Sequence, residues 1–140
     1  MRQGHTQANA TLSVQTALGK DVLLLDSVQG SEGISELYQF TLSMRAASNE
    51  LDAQKALGQA ASIALYVGDD ERQFNGIISR FSYLGSDADF AFYSAELVPS
   101  MWLLTLGRDR VIYQSKTVPE IVKLVLQQYQ VRCEQKLQGA

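Results

Sequence analysis

The stretch ELYQFTLSMR at residues 36–45 alternates without a fault. Tyr38, Phe40, Leu42 and Met44 fall on one side, and Gln39, Thr41, Ser43 and Arg45 on the other. A period of two is the signature of a strand with one face buried and one face wet. A lone strand of this kind cannot hide its apolar side, so the rest of the chain has to supply a sheet. It does so at hairpin spacing. Residues 11–18 place Leu12, Val14 and Leu18 on one face, and VLLLDSVQ at 22–29 reads as the returning strand of a hairpin across the turn at 19–21. Residues 61–67 carry Ile63, Leu65 and Val67 inward. Residues 73–84 are apolar on both faces and hold Gly76, where a bulge or bend is expected. A last strand occupies 90–98, after turns at GDDER (68–72) and GSDAD (85–89).

Two segments change period. SNELDAQKALG at 48–58 offers Ser48 or Asn49 as a cap, Asp52 in the first turn and Gly58 as a stop, predicting a helix of about two turns. Thr117-Val118-Pro119-Glu120 has the spacing of a capping box with proline in the first turn. Behind it Val118, Ile121, Val122, Val125 and Tyr129 form one helical stripe, so a helix is expected to about Gln130. The fold class is therefore mainly β (α+β), an antiparallel barrel or roll of about six strands with two or three short helices. Residues 1–10 read as a flexible N-terminal tail, and 11–140 as a single domain. The ending EQKLQGA lacks a closing element, which suggests a fragment of a longer chain.

Charge narrows the partners. Twelve basic against fifteen acidic side chains leave a net charge of −3, the wrong sign for a protein that tracks phosphates, so no nucleic acid is expected. No apolar run approaches the length of a bilayer span, and stable membrane insertion is not expected. The polar N-terminus MRQGHTQANA lacks the apolar core of a secretory signal, and the single Cys133 rules out an internal disulfide. Synthesis in a reducing cytoplasm is the expectation.

The same residues supply little chemistry. His5 lies in the tail, where it cannot be held as a base for a serine or cysteine nucleophile. Asp69, Asp70, Glu71, Asp87 and Asp89 have no calcium-loop spacing and sit where hairpin turns want acidic residues. Cys133 reads as a half-buried small hydrophobe. There is no phosphate-binding glycine loop, no CxxC, no HExxH and no GxSxG. No catalytic, cofactor-binding or metal-binding residue is assigned, no cofactor is called for, and the chain is not expected to be an enzyme. Trp102, with Met101, Leu103, Leu104 and Leu106, reads as a buried turn joining the last strand to the helix. Arg108 and Arg110 around Asp109 read as a solvated loop with a local salt bridge.

Several quoted segments, in this order, resemble the N-terminal region of VgrG spike proteins of type VI secretion systems, which are similar in turn to baseplate hub proteins of contractile phages. GSEGISELYQFTLSM resembles that family's loop into an alternating strand, ELDAQKALGQAASIAL its short helix, glycine and strand, and RQFNGIISRFSYLG its Arg-x-Phe-x-Gly-Ile strand. The most specific part is residues 92–126: Tyr93, Leu97, Pro99, Trp102, Leu103, Arg110, Tyr113, Gln114, Val118, Pro119 and Ile121 fall on the family's pattern, with Val111-Ile112-Tyr113 in place of a commoner Ile-Phe pair. The resemblance spans roughly residues 20–131.

What the resemblance implies is a structural hub domain of a puncturing device. Its partners would be itself, as a homotrimer in the full-length protein, the tube ring protein, and spike-tip and effector proteins. Such a protein is made in the bacterial cytoplasm without a signal peptide and exported by the secretion machine to the extracellular space or a target cell. Without the resemblance, a stand-alone β-rich module binding carbohydrate or peptide stays open. The block at 97–126 is then expected to be a junction that packs the last strand against the helix.

Overall fold

A computed structural model describes residues 5–138, which divide into two compact units at the Pro99–Ser100 link. The first unit is a single antiparallel sheet of β1 (Leu12–Gln15), β2 (Leu24–Ser31), β3 (Gln39–Ala46), β4 (Ala60–Val67), β5 (Asp70–Ser86) and β6 (Ala91–Val98). The strand order is β1-β4-β5-β6-β3-β2. The alternating stretch forms β3, with Phe40, Leu42, Met44 and Ala46 buried and the residues between them exposed. Its neighbour β6 answers with Ala91, Tyr93, Ala95 and Leu97. Together with Val14, Leu23, Ile63 and Ile78 these form one core, each large apolar side chain contributing about 1.5–3 kcal/mol of transfer free energy. The mostly antiparallel β class and the six strands expected from the sequence are present.

The 17-residue β5 gives the sheet its curl. Its first half pairs with β4 and its second half with β6, and Ile77 stands opposite both Ala60 and Val98 where one partner gives way to the other. Gly76 sits beside that crossing. A Cβ there would lie 2.2 Å from the Val98 carbonyl oxygen, so glycine is required by close approach. The bulge expected at Gly76 is displaced: Gly76 stays in register with Ala61, and the irregularities fall between Ile78 and Arg80 and between Tyr83 and Gly85. The β4–β5 connection is a two-residue loop with Gly68 at φ +66 in the position where a type II′ turn asks for glycine. Val67, expected inward, lies beside that loop and is exposed.

Three further expectations meet a different outcome. Residues 11–18 and 22–29 do not pair as a hairpin: β1 pairs with β4 and β2 with β3, which puts them at opposite ends of the strand order. The curl nevertheless brings β1 and β2 close to each other. The two-turn helix at 48–58 shrinks to a 3₁₀ turn at Ala53–Lys55, with Asp52 accepting from the Gln54 N–H at 3.0 Å. The reason is tertiary. The buried Tyr93 hydroxyl donates to the Ser48 carbonyl (3.0 Å) and accepts from the Leu51 N–H (3.4 Å), pinning residues 48–51 to the sheet. Finally, of the residues 1–10 read as a tail, 1–4 lie outside the described residues, while Gln7 is half-buried and tied to β1 and to the chain around Leu23 and Leu25.

The second unit holds a 3₁₀ segment at Ser100–Leu106 and one helix, α1 (Val118–Gln128). Glu120 accepts from the Thr117 N–H (2.6 Å) and the Thr117 hydroxyl (2.9 Å), as the capping-box spacing predicts. The helix ends two residues before Gln130. Gln130 has φ +57, its N–H meets the Gln127 carbonyl at 3.0 Å, and the Val131 N–H meets the Leu126 carbonyl at 2.9 Å. This is a Schellman closure with glutamine where glycine is the usual choice. Val131 is the residue buried behind it.

Candidate functional site

The sheet offers its outward face first. Across four strands the registers set Ser27, Ser43, Ser94 and Ser82 in one row, and Gln29, Thr41, Glu96 and Arg80 in the next. Glu96 is the focus of this face. Its side chain is 20% exposed, accepts from the Ser79 hydroxyl at 3.3 Å and lies 3.4 Å from the Arg80 guanidinium. The bulge between Ile78 and Arg80 is what lets two successive residues reach one carboxylate. That leaves Glu96 paired and hydrogen-bonded, not poised as a free acid or base.

At another corner Tyr38, Phe40 and Phe74 cluster with ring centroids 4.6 to 6.1 Å apart, Tyr38 edge-on to Phe74 and the other two pairs tilted. Arg72 lies over the Phe74 ring at 4.9 Å and pairs with Glu32. The Tyr38 hydroxyl donates to the Asn75 carbonyl, and burial raises its pKa above the ordinary tyrosine value. These contacts order the loop before β3 and leave no free nucleophile.

The residues singled out for chemistry land apart. His5 is exposed with its ring edge-on to Phe90 at 4.9 Å, so it packs and is not positioned as a base. Asp69 lies in the β4–β5 loop, and Asp70 and Glu71 begin the strand that follows. Asp87 is consumed by its own turn, where one oxygen accepts from the Phe90 N–H (2.7 Å) and the Asp89 N–H (2.9 Å) and holds the carboxyl below its usual pKa. Among the described residues no three His, Cys, Asp or Glu side chains gather as metal ligands. No described helix is long and apolar enough to cross a membrane.

The second unit corrects three expectations. The Trp102 block is not a buried turn: none of Ser100–Leu106 is buried, Trp102 is half-buried, and Met101 and Leu106 are exposed. The Asp109 carboxylate takes the Arg110 backbone N–H at 2.7 Å, and among the described residues neither Arg108 nor Arg110 forms a salt bridge with it. Cys133, expected half-buried, is exposed. What remains is an apolar surface. Val111, Ile112, Val118, Val122 and Leu124 all face solvent, and α1 has no buried residue. Exposed apolar side chains in this number are a feature of surfaces that meet a partner.

Two features had little sequence signal. The Gln7 side chain makes four hydrogen bonds, two of them to Leu23 and Leu25 sixteen and eighteen positions away, yet its polar setting resembles any loose terminus. Tyr93 gives a partial hint, since an aromatic hydroxyl on an inward face needs a partner.

The comparison with known proteins carries the assignment. Residues 31–139 match the family described as phage tail baseplate hub (GPD). The chain is 37% identical over 120 residues to the type VI secretion system spike protein VgrG1a of Pseudomonas aeruginosa, covering 85% of this chain and 19% of that relative. It is 28% identical over 121 residues to the actin cross-linking toxin VgrG1 of Vibrio cholerae, covering 79% of this chain and 11% of the relative. Among solved structures it is similar to the E. coli c3393 protein, described as a component of the type VI secretion system with structural similarity to the T4 bacteriophage tail proteins gp27 and gp5. That match has a TM-score of 0.61 and 28% identity, and covers 75% of this chain and 31% of the other. The chain thus spans about a fifth or less of the length of these curated relatives. A match from the end of β2 to beyond α1, with relatives that are spike proteins, shows that this chain belongs to the phage tail baseplate hub family.

Proposed function

We propose that this chain is the hub portion of a type VI secretion spike, a structural part of the puncturing device and not a catalyst. In this role it joins copies of itself as a homotrimer, sits on the tube ring, and carries the spike together with spike-tip and effector proteins. It is made in the cytoplasm and leaves the cell with the tube. The observation that carries the reading is the hub-family match over residues 31–139, which takes in β3 to β6 and the exposed apolar residues of the second unit. A homotrimer interface is large and apolar, often about 2,000 Å² or more, and an exposed helix stripe fits that demand. One relative that shares this region is named an actin cross-linking toxin.

The test is a secretion assay in the producing bacterium with the protein epitope-tagged. The tagged protein is expected in the medium of cells with a working sheath and absent from the medium of cells lacking one, with equal amounts inside. Equal export from both strains would sink the spike reading. Light scattering of the native gene product gives the second check, and three times the protomer mass is expected.

A further inference from the structure

The strand order ends at β1 and β2, and the curl brings those two ends close together with no backbone rung joining them. Two strand edges left facing each other present unpaired N–H and C=O groups, which native proteins do not leave unanswered. One side chain answers them here. Gln7 Nε2 donates to the Val14 carbonyl (3.1 Å) and the Leu23 carbonyl (3.0 Å). Gln7 Oε1 accepts from the Val14 N–H (2.9 Å) and the Leu25 N–H (3.1 Å). Two donated and two accepted bonds are the full capacity of a primary amide. The Gln7 amide therefore stands where the peptide group of an intervening strand would stand.

The segment is anchored a second time. The Gln7 N–H and the Thr6 hydroxyl both donate to the Asp21 carboxylate, each at 3.2 Å. Directly beneath the seam lie Val14, Leu23 and Leu25, all buried in the core of the sheet. β1 is only 4 residues long and pairs with β4 alone, so little else resists its movement.

We propose that the segment around Thr6 and Gln7 is a strap that closes the sheet on itself. Engaged, it stitches β1 to β2 through one amide. Withdrawn, it lets the sheet open along that seam while β3, β5 and β6 stay folded. Local opening of this kind is a property of the edge, where hydrogen bonds are few and the chain is short.

The experiment is residue-resolved hydrogen exchange by NMR on the 140-residue chain, with Gln7→Ala and Gln7→Glu beside it. The reporters are the Val14 and Leu25 amides, which Gln7 accepts, and the Leu42 and Ala95 amides in central strands. In Gln7→Ala, protection at Val14 and Leu25 is expected to fall about ten-fold or more, with Leu42 and Ala95 unchanged. Unchanged protection at the seam overturns the proposal. So does an equal loss at all four amides, or a variant that fails to fold, since the seam would then not open on its own.

Gln7→Glu keeps the length and the acceptor but loses both donors. Its ionised carboxylate would face the Val14 and Leu23 carbonyls without a proton to share. Seam protection, corrected for intrinsic exchange, is then expected to be several-fold lower at pH 7 than at pH 4, where the carboxyl takes up a proton. The unaltered chain, whose Asp21 carboxyl is held below its ordinary range first by the Gln7 N–H, is expected to show no such fall between pH 4 and pH 7, and absence of the fall in Gln7→Glu would also overturn the strap.

Discussion

The two units of this chain solve the burial problem in opposite ways. The sheet unit hides Leu42, Ile63 and Leu97 completely, and the outward rows across β2, β3, β6 and β5 carry serines, Gln29, Thr41, Glu96 and Arg80. The unit after Pro99 buries Val131 alone and leaves Val111, Ile112, Val118 and Val122 in solvent. About forty residues lie below the size at which a single core sustains a fold unaided. The difference teaches that the first unit carries its own core, while the described residues of the second leave most of their apolar side chains at least partly exposed. Local order in the second unit comes from caps: Thr117 with Glu120 at one end of α1 and the Gln130–Val131 closure at the other.

Core truncation gives the most direct way to break that comparison. Leu42→Ala removes a fully buried side chain between β2 and β6 and is expected to cost about 2–5 kcal/mol in urea unfolding. Val122→Ala, at a 44% exposed position, is expected to stay within about 0.5 kcal/mol. A Val122→Ala cost near that of Leu42→Ala would mean that α1 is packed in solution, and the contrast between the units would fall.

Glycine sharpens the same point at the next level. Gly76→Ala forces a methyl against the Val98 carbonyl oxygen where β5 changes partner, and a loss of about 1–3 kcal/mol is expected. Gly58 has φ +70 but open space around its Cβ position, so Gly58→Ala meets only backbone strain, about 1 kcal/mol. Equal costs at the two sites, read by thermal unfolding, would remove close approach as the reason for Gly76.

These contrasts also show what the sequence could and could not reveal. The strand at 39–46 was legible because its period of two is strict and one face is wholly apolar. The start of α1 was legible because the Thr117–Glu120 contact is local, three residues apart. The pairing of β1 with β4 was not, because it depends on the long β5 bending from one partner to another. Residues 48–58 carry helix signals, and what defeats them is Tyr93, more than forty positions away. Surface positions followed the same rule. Asp87 was readable as a turn residue because its partners Asp89 and Phe90 are adjacent, whereas Cys133 was placed by chemistry alone and lies exposed. The hub family entered through the order of its motifs, and the structure alone would have delivered only the curled sheet.

Tyr93→Phe tests the long-range override. The ring keeps its stacking on Phe81, with centroids 5.4 Å apart, and loses only the hydroxyl that holds Ser48 and Leu51. About 1 kcal/mol of lost stability is expected, with faster hydrogen exchange at Leu51 and unchanged exchange in β3. No change at Leu51 would detach the hydroxyl from the fate of residues 48–51.

The smallest effect comes from acid, and it touches both units at once. In the sheet unit the Asp87 carboxyl is held below its ordinary value first by the Phe90 N–H and then by the Asp89 N–H. In the second unit Glu120 is held below its ordinary value first by the Thr117 N–H and then by the Thr117 hydroxyl. A depressed folded value makes the contribution fully present above the unfolded carboxylate range, near pH 4, and lost as pH falls through the folded value. Both groups are exposed to solvent, so the change in each is modest. Asp87→Asn keeps an acceptor oxygen and should flatten the acid side of the thermal stability curve. Glu120→Gln should leave that curve nearly untouched, because α1 contributes little to the core, and should show instead as helix ellipticity that no longer falls between pH 5 and pH 2. If Glu120→Gln moved the main unfolding transition as Asp87→Asn does, the two units would be unfolding together, and the independence drawn from their burial would be wrong.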